Sequence, residues 1–297
     1  MAEELKLHFK KAGFFTSIQD FGRFGQQDIG IPISGAMDKE SMQMANYLVG
    51  NSDDTPVIEI TLLGPEIEVE GNGQIAFAGA QFASKLNKSP LPLFETIEVK
   101  TGDTIKLKGT SAGCRIFLAV GGKTTEPAWL GSHSAPSDYV KHTGMVSHFS
   151  DGDTLTFHPH KLVDKRIIDE AKRPIYTSCA ILRVVTGPDF EQFELEVIQE
   201  FFEKTFSISS DSNRMGYRLN EALAQYKAKG EEISSGVIPG TVQITGSGKP
   251  IILTADAQTT GGYPRIANVV TEDLDLVGQM KPGDELRFML VSLEDIN

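Results

Sequence analysis

The sequence predicts a mainly β protein with a few helices, divided into two β-rich halves, on three observations. Short stretches that alternate or run apolar recur along most of the chain, as in "PVIEITLLG", "PEIEVEG", "QIAFAGA", "TIEVK", "DTIKLKG" and "CRIFLAVGG", and later in "DTLTFHPH", "ILRVVTG", "PIILTAD" and "ELRFMLVSL". Gly, Pro, Asn and Asp cluster between them, the punctuation of barrels and sandwiches. A Gly-Asp turn leading into an alternating strand appears at 101–107 ("TGDTIKL"), 151–157 ("DGDTLTF") and 282–288 ("PGDELRF"), and the last two copies fall where a domain would close.

Taken in order, the first helical signal lies at 38–49. Asp38 can cap it, Ala45, Leu48 and Val49 form a stripe, and Gly50-Asn51 ends it. The strand-like stretches "DTIKLKG" and "CRIFLAVGG" follow, separated by "GTSAG". After the turn at 151 comes "HKLVDKRIIDEAKRP", charged and without strand character, which reads as a linker. The expected units are therefore 1–165 and 166–297. Phe190, Phe193, Val197 and Phe201 then recur at helical spacing, predicting a helix over 189–203 that packs on the second sheet.

The totals exclude several functions. Of 297 residues, 40% are hydrophobic, enough for two cores, and 40 acidic against 28 basic side chains give a formal charge of -12. That sign repels phosphate backbones and anionic lipid, so no nucleic acid and no membrane is expected as a partner. The first residues, "MAEELKLHFKKAG", lack the apolar core of a signal peptide, and no apolar run is long enough for a spanning helix, which predicts a cytoplasmic protein. Cys114 and Cys179 sit in apolar strand-like surroundings and are expected to be buried, reduced thiols.

Several catalytic patterns appear incompletely. "GTSAG" (109–113) fits the nucleophile-elbow spacing, but a strand follows it where a helix is required, so Ser111 reads as a turn residue. "GSGKP" (246–250) and "GGKTT" (121–125) lack the spacing of a phosphate loop and read as hairpin turns. His158 and His160 share one side of a strand without a third ligand nearby, so no metal site is assigned.

Three stretches carry more polar side chains and glycine than turns require. They are 17–38, with Gln19, Asp20 and Arg23; 209–219, with Arg214 and Arg218 around Tyr217; and 254–270, with Asp256, Gln258, Thr259, Thr260, Gly261, Gly262 and Tyr263. Glycines let a ligand approach the backbone closely. Guanidinium forks hold carboxylates, and a carboxylate beside an amide orients a lactam or ureido group. If the three stretches meet in space, Asp20, Arg23, Arg214, Asp256 and Gln258 form a cleft of mixed charge that suits an amide or carboxylate substrate.

These motifs carry a resemblance. "TSIQDFGRFGQQDIGIPISGAMD", "ANYLVGN", "IEITLLGPEIEV", "FLAVGG", "LGS", "RVVTGPDFEQF", "SNRMGYRL", "GVIPGTVQI" and "ADAQTTGGYPRIANV" occur in the order found in the KipA family. That family includes the C subunit of bacterial 5-oxoprolinase, carries the label allophanate hydrolase subunit 2, and resembles part of the carboxyltransferase domain of biotin-dependent urea carboxylase. The resemblance implies two cyclophilin-like β-barrel units. It also implies a KipI-like B subunit, an A subunit, and ATP-driven opening of 5-oxoproline to glutamate.

Carried over by position, it implies Asp256, Arg214 and Asp20 as catalytic residues. Gln19, Arg23, Tyr217, Arg218, Gln258, Thr259, Thr260, Gly261, Gly262 and Tyr263 are implied to bind substrate, with no metal. Because the chain has no phosphate loop, ATP is assigned to a partner protein or to the junction with one. Two alternatives remain open: carboxyl transfer with biotin, and a non-catalytic regulator that binds a KipI-like protein. The sequence departs from the family pattern at Asn213, where relatives carry an acid, at "VSHFSDGD", and at "HSAPSDYVKHTGM" after "LGS".

Overall fold

The computed structural model describes residues 4–137, 140, 143–228, 233–292 and 294. The chain is mostly β and divides into two compact units. The first comprises 1–23 and 34–176; the second comprises 24–33 and 177–297.

In the first unit the strands are β1 (Leu5–Lys11), β2 (Phe15–Gln19), β3 (Val57–Thr61), β4 (Glu66–Glu70) and β5 (Gly73–Leu86), then β6 (Ser89–Pro90), β7 (Ile97–Val99), β8 (Thr104–Val120), β9 (Gly122–Thr124) and β10 (Thr154–Pro159), with helix α1 (Lys39–Val49). They form one curled sheet in the order β2-β3-β8-β4-β1-β10-β9, with β5 paired to β6, β7 and β8. The apolar runs in β5 and β8 reflect burial on both faces. Ile75, Phe77, Ile116 and Leu118 enter one core with Leu5, Leu7 and Phe9. Their neighbours Ala76, Ala78, Phe117 and Ala119 face the other way, against Met42, Ala45, Leu48 and Val49 of α1. The alanines leave room for the helix.

Asp38 caps α1 through Ser41 N at 2.8 Å, and Gly50 ends it at φ 76°. The same carboxylate accepts from Tyr176 Oη at 3.1 Å. Burial and the Asp38 charge push the Tyr176 phenol up, which keeps it a donor. A buried ion pair spans β3 and β8, Arg115 Nε to Glu59 Oε1 at 3.3 Å, and Glu59 Oε2 also accepts from Met37 N at 2.9 Å.

The second unit holds β11 (Cys179–Thr186), α2 (Leu195–Glu203), β12 (Phe206–Ser207), β13 (Gly216–Arg218), β14 (Ser235–Gly236) and β15 (Thr241–Ile244), then β16 (Pro250–Leu253), β17 (Thr260–Gly261), β18 (Arg265–Val269), α3 (Leu274–Gln279) and β19 (Glu285–Leu290). Its main sheet runs β12-β19-β11-β18-β15-β16-β13, and β14 pairs with β17 apart from it. Phe201 of α2 stacks on Phe288 of β19 with centroids 4.4 Å apart.

The three Gly-Asp turns share one construction. Gly102, Gly152 and Gly283 have φ of 89°, 96° and 88°. Each following aspartate accepts from the amide three residues back: Lys100 at 2.9 Å, Ser150 at 2.7 Å and Lys281 at 3.0 Å. Each Gly N–H and Asp C=O then pairs with one residue of another segment, Val69, Phe9 and Ile208 respectively. The second and third copies lead into β10 and β19, the last strand of each unit.

Several expectations are corrected. The first unit extends to Tyr176 rather than ending at 165, because residues after 165 bond back to it: Thr96 N to Arg166 O and Ile168 N to Phe94 O, both at 2.9 Å. Residues 24–33 belong to the second unit rather than the first. The helix expected over 189–203 is broken by a 3-10 turn at Phe190–Gln192, after which the chain is extended at Phe193 and Glu194. "DTIKLKG", "GTSAG" and "CRIFLAV" form one strand, so Ser111 is a strand residue; bulges at its pairing with β5 and Gly113 at φ 75° absorb the bend read as a turn. Likewise, 122–124 of "GGKTT" are strand β9 paired with β10. Cys114 is buried, whereas Cys179 is exposed, because alternation along β11 turns it outward while Ala180 and Leu182 turn inward. No helix among the described residues is long and apolar enough to cross a membrane.

Candidate functional site

The first polar stretch begins where β2 ends. Ser17 and Gln19 share a face of that strand, opposite Ile18, which enters the core. Gln19 Nε2 donates to Ser17 Oγ at 2.9 Å, and both residues are 1% exposed. Asp20, 7% exposed, accepts from Gly22 N at 2.8 Å, Ser132 Oγ at 2.6 Å, Ser134 Oγ at 2.5 Å and His133 N at 2.7 Å. Its carboxylate therefore ties 132–134 to the end of β2. Arg23, also buried, donates to Ser134 O and lies 4.9 Å from the centre of the Trp129 ring. Ser132, His133, Ser134 and Trp129 were not singled out from sequence. The signals that pointed to this loop were "LGS", which ends on Ser132, and the departure from the family pattern that begins at His133.

In the second unit, Arg214 forks onto Asp256, with Nε to Oδ2 at 2.9 Å and Nη2 to Oδ1 at 3.1 Å. Both are 7% exposed, so the pair is desolvated. Asp256 N donates to Arg214 O at 2.8 Å, and Thr254 Oγ1 donates to the same carbonyl at 2.5 Å. The structure thus joins one expected arginine to the expected carboxylate. Tyr217 is buried and its hydroxyl donates to Met280 O at 3.1 Å, while Arg218, next along β13, points outward and is exposed.

The length of the third stretch has a topological cause. Strands β16 and β18 are both neighbours of β15, one on each side, so the chain leaving β16 must pass β15 before entering β18. On the way it makes β17, where Thr260 and Gly261 pair with Gly236 and Ser235. A Cβ at Gly261 would lie 2.6 Å from Gln243 Nε2, which donates to Tyr263 O at 3.2 Å, so a side chain there would displace the Gln243 amide. Gln258, Thr259 and Gly262 are half-buried, and Thr260 and Tyr263 are exposed.

Two further features of this unit were not read from sequence. Asp189 holds Arg265 bidentately, at 2.7 Å to Nε and 3.1 Å to Nη2, and Arg265 Nη1 reaches Gly236 O at 3.1 Å. A cavity of about 430 Å³ is lined by Phe193, Val197, Tyr226 and Pro264, with Gln225 and Lys227 at its edge. The apolar spacing of Phe193 and Val197 was read as packing against the sheet, and it also builds this wall.

The Arg265 guanidinium beside Asp189 holds its carboxyl below the usual carboxylate range. A depressed folded-state value stabilises the fold above the unfolded value of about 4, and the contribution is lost as pH falls through the lower folded value. Asp189→Asn is therefore expected to lower the urea midpoint near neutral pH, with the difference from wild type shrinking below about pH 4. A difference that stays constant down to pH 3 would contradict the assignment.

A model of the carboxyltransferase domain, subdomains A and B, matches residues 29–290. Over 286 residues the chain is 35% identical to the C subunit of 5-oxoprolinase from Escherichia coli (strain K12), covering 96% of this chain and 91% of that protein. The C subunit of the Haemophilus influenzae 5-oxoprolinase is 33% identical over 283 residues, with 94% and 89% covered. The crystal structure of the K. lactis urea amidolyase superposes with a TM-score of 0.87 at 29% identity, over 97% of this chain and 19% of that one. With nearly its whole length matched, and with both units present, the chain belongs to the carboxyltransferase domain family of subdomains A and B.

Proposed function

We propose that the chain is the C subunit of a 5-oxoprolinase. In this reading it acts with a KipI-like B subunit and an A subunit in the cytoplasm to open the lactam of 5-oxoproline to glutamate at the expense of ATP. The observation that carries this reading is the 35% identity to the C subunit of a 5-oxoprolinase across 96% of this chain and 91% of that protein.

Amide resonance makes an unstrained lactam hard to open. Phosphorylation of the amide oxygen by ATP makes the carbon open to attack by water; the C–N bond then breaks as the nitrogen takes a proton, and hydrolysis of the resulting acyl phosphate gives glutamate and phosphate, so the protein's work is alignment and charge stabilisation. The second unit supplies Asp256, held by Arg214, to orient the ring nitrogen or a water. Exposed Arg218 takes the substrate carboxylate, since the Arg214 fork lies on Asp256. Gln258, Thr259, Thr260, Gly261, Gly262 and Tyr263 form the surrounding wall. The resemblance assigns Gln19, Asp20 and Arg23 to catalysis and substrate binding as well. ATP is assigned to a partner protein or to the junction with one.

A second reading, carboxyl transfer from biotin to a urea-like acceptor, is favoured by the likeness to urea amidolyase. Co-expression with the KipI-like protein and the A subunit, followed by an assay of ATP hydrolysis, separates the two. Hydrolysis that depends on 5-oxoproline is expected. Turnover of carboxybiotin in its place would shift the assignment to the second reading, and a tight complex without turnover would leave a regulatory binding role.

A further inference from the structure

The wall proposed for the second unit, Gln258 to Tyr263, lies between two residues that are each held in a forked ion pair. Arg214 grips Asp256 before it, and Asp189 grips Arg265 after it, with Nε to Oδ2 at 2.7 Å and Nη2 to Oδ1 at 3.1 Å. Between them the chain makes only β17, which pairs with β14 over two residues and stands apart from the main sheet. A two-stranded ribbon of that length is not stable by itself. Its place must come from the neighbours that grip it.

Two side chains of the main sheet do so. Gln243 of β15 and Arg265 of β18 are opposite each other in the pairing of those strands, beside a bulge, and so share a face. Gln243, 1% exposed, donates from Nε2 to Tyr263 O at 3.2 Å, and Arg265 donates from Nη1 to Gly236 O at 3.1 Å. The first bond holds the chain just past β17; the second holds β14. Asp189 aims the guanidinium, taking Nε and Nη2, and also accepts from Arg265 N at 3.0 Å. Gly187 lets that turn come against β18, since a Cβ there would lie 2.2 Å from Arg265 O. On the other flank, Val237 N donates to Thr259 O at 3.0 Å, and the Val237 side chain packs with Ile251, Leu253 and Ala257.

We infer that Gln243 and Arg265 are positioning residues that set the place of Thr259 to Tyr263 and, through it, the affinity of the site for its substrate, with Asp189 as the residue that aims Arg265. The inference rests on the proposed 5-oxoprolinase reading for the substrate and adds three residues to which that reading gives no role. Two donors fixed on a sheet hold two backbone carbonyls of the ribbon, so loss of either lets the ribbon open locally while the sheet persists. A wall that moves weakens ground-state and transition-state binding alike, which raises KM and leaves kcat.

The test uses Arg265→Lys and Gln243→Met. Lysine keeps the charge and the stem but cannot fork onto Asp189 and reach Gly236 O at once. Methionine keeps the length and removes the donor. Hydrogen exchange at the Val237 amide is expected to quicken about tenfold in each variant, the worth of one hydrogen bond, while amides of β11 and β19 exchange as in wild type. In the assembly with its partner proteins, KM for 5-oxoproline is expected to rise about tenfold with kcat within about twofold of wild type. A merely structural role gives another pattern, because less folded enzyme lowers kcat in step with the urea midpoint and leaves KM. That pattern overturns the inference, as does a Val237 amide that exchanges as in wild type. Each variant serves if the other does not fold. If exchange quickens while KM stays, the ribbon's place does not govern binding and the inference falls. If wild type hydrolyses no ATP with 5-oxoproline yet binds 2-imidazolidinone more tightly than the variants do, the 5-oxoprolinase reading falls and the positioning roles stand. If wild type binds neither ligand, both fall.

Discussion

Asp256→Ala is expected to cost about 3–5 kcal/mol of stability and to abolish ATP hydrolysis that depends on 5-oxoproline. The change strips Arg214 of a bidentate partner in a place where both side chains are 7% exposed, so the guanidinium loses its fork where water compensates poorly. The bonds from Asp256 N and from the Thr254 hydroxyl to Arg214 O do not involve the carboxylate, so local chain geometry should persist. Stability and chemistry are separable by the double variant Arg214→Met with Asp256→Leu. Replacing a buried pair by apolar groups of similar volume is often close to neutral, so the urea midpoint is expected to recover most of the loss. Turnover is not. Recovery of turnover in the double variant would show that the pair serves only the fold, and an unchanged midpoint in Asp256→Ala would contradict its burial.

That pair also shows what could be read from the sequence. Arg214 and Asp256 stood out because each is a charge beside glycine-rich, strand-breaking context, and the structure places them 2.9 Å apart. Their relation to each other had no signature, since residues 42 apart give no periodic signal. Tyr217 illustrates the reverse case. It was assigned to substrate binding, yet alternation along β13 turns it inward to Met280 and sends Arg218 out.

The repeated Gly-Asp turn was legible as a turn that leads into a strand. A glycine that can adopt positive φ and an aspartate that can accept a nearby amide determine it locally, and the three copies fold alike. The unit boundary was not legible, because charge and lack of strand character at 160–174 do not reveal backbone pairing. Thr96 and Phe94, which hold 166–168, lie about seventy residues upstream. The departure of 24–33 from the first unit was hidden for a similar reason: nothing in "FGQQDIGIPI" distinguishes a long loop from a crossing.

Asp20→Ala is expected to have the largest effect in the first unit, a loss of about 3 kcal/mol or more together with loss of turnover. One carboxylate accepts from two serine hydroxyls and two backbone amides, and deleting it leaves four donors to find other partners in a buried place. The hydroxyls can rotate; the amides of Gly22 and His133 cannot. Asp20→Asn is the gentler probe. Its carbonyl can keep the His133 amide while its NH2 group donates to the serine oxygens and leaves only the Gly22 N–H without its acceptor, so it should cost less than Asp20→Ala while still destabilising. Hydrogen exchange at the His133 amide reports the difference directly: rapid in Asp20→Ala, intermediate in Asp20→Asn, protected in wild type. Turnover should fall as exchange rises. A variant with a freely exchanging His133 amide and undiminished turnover would refute a positioning role for Asp20.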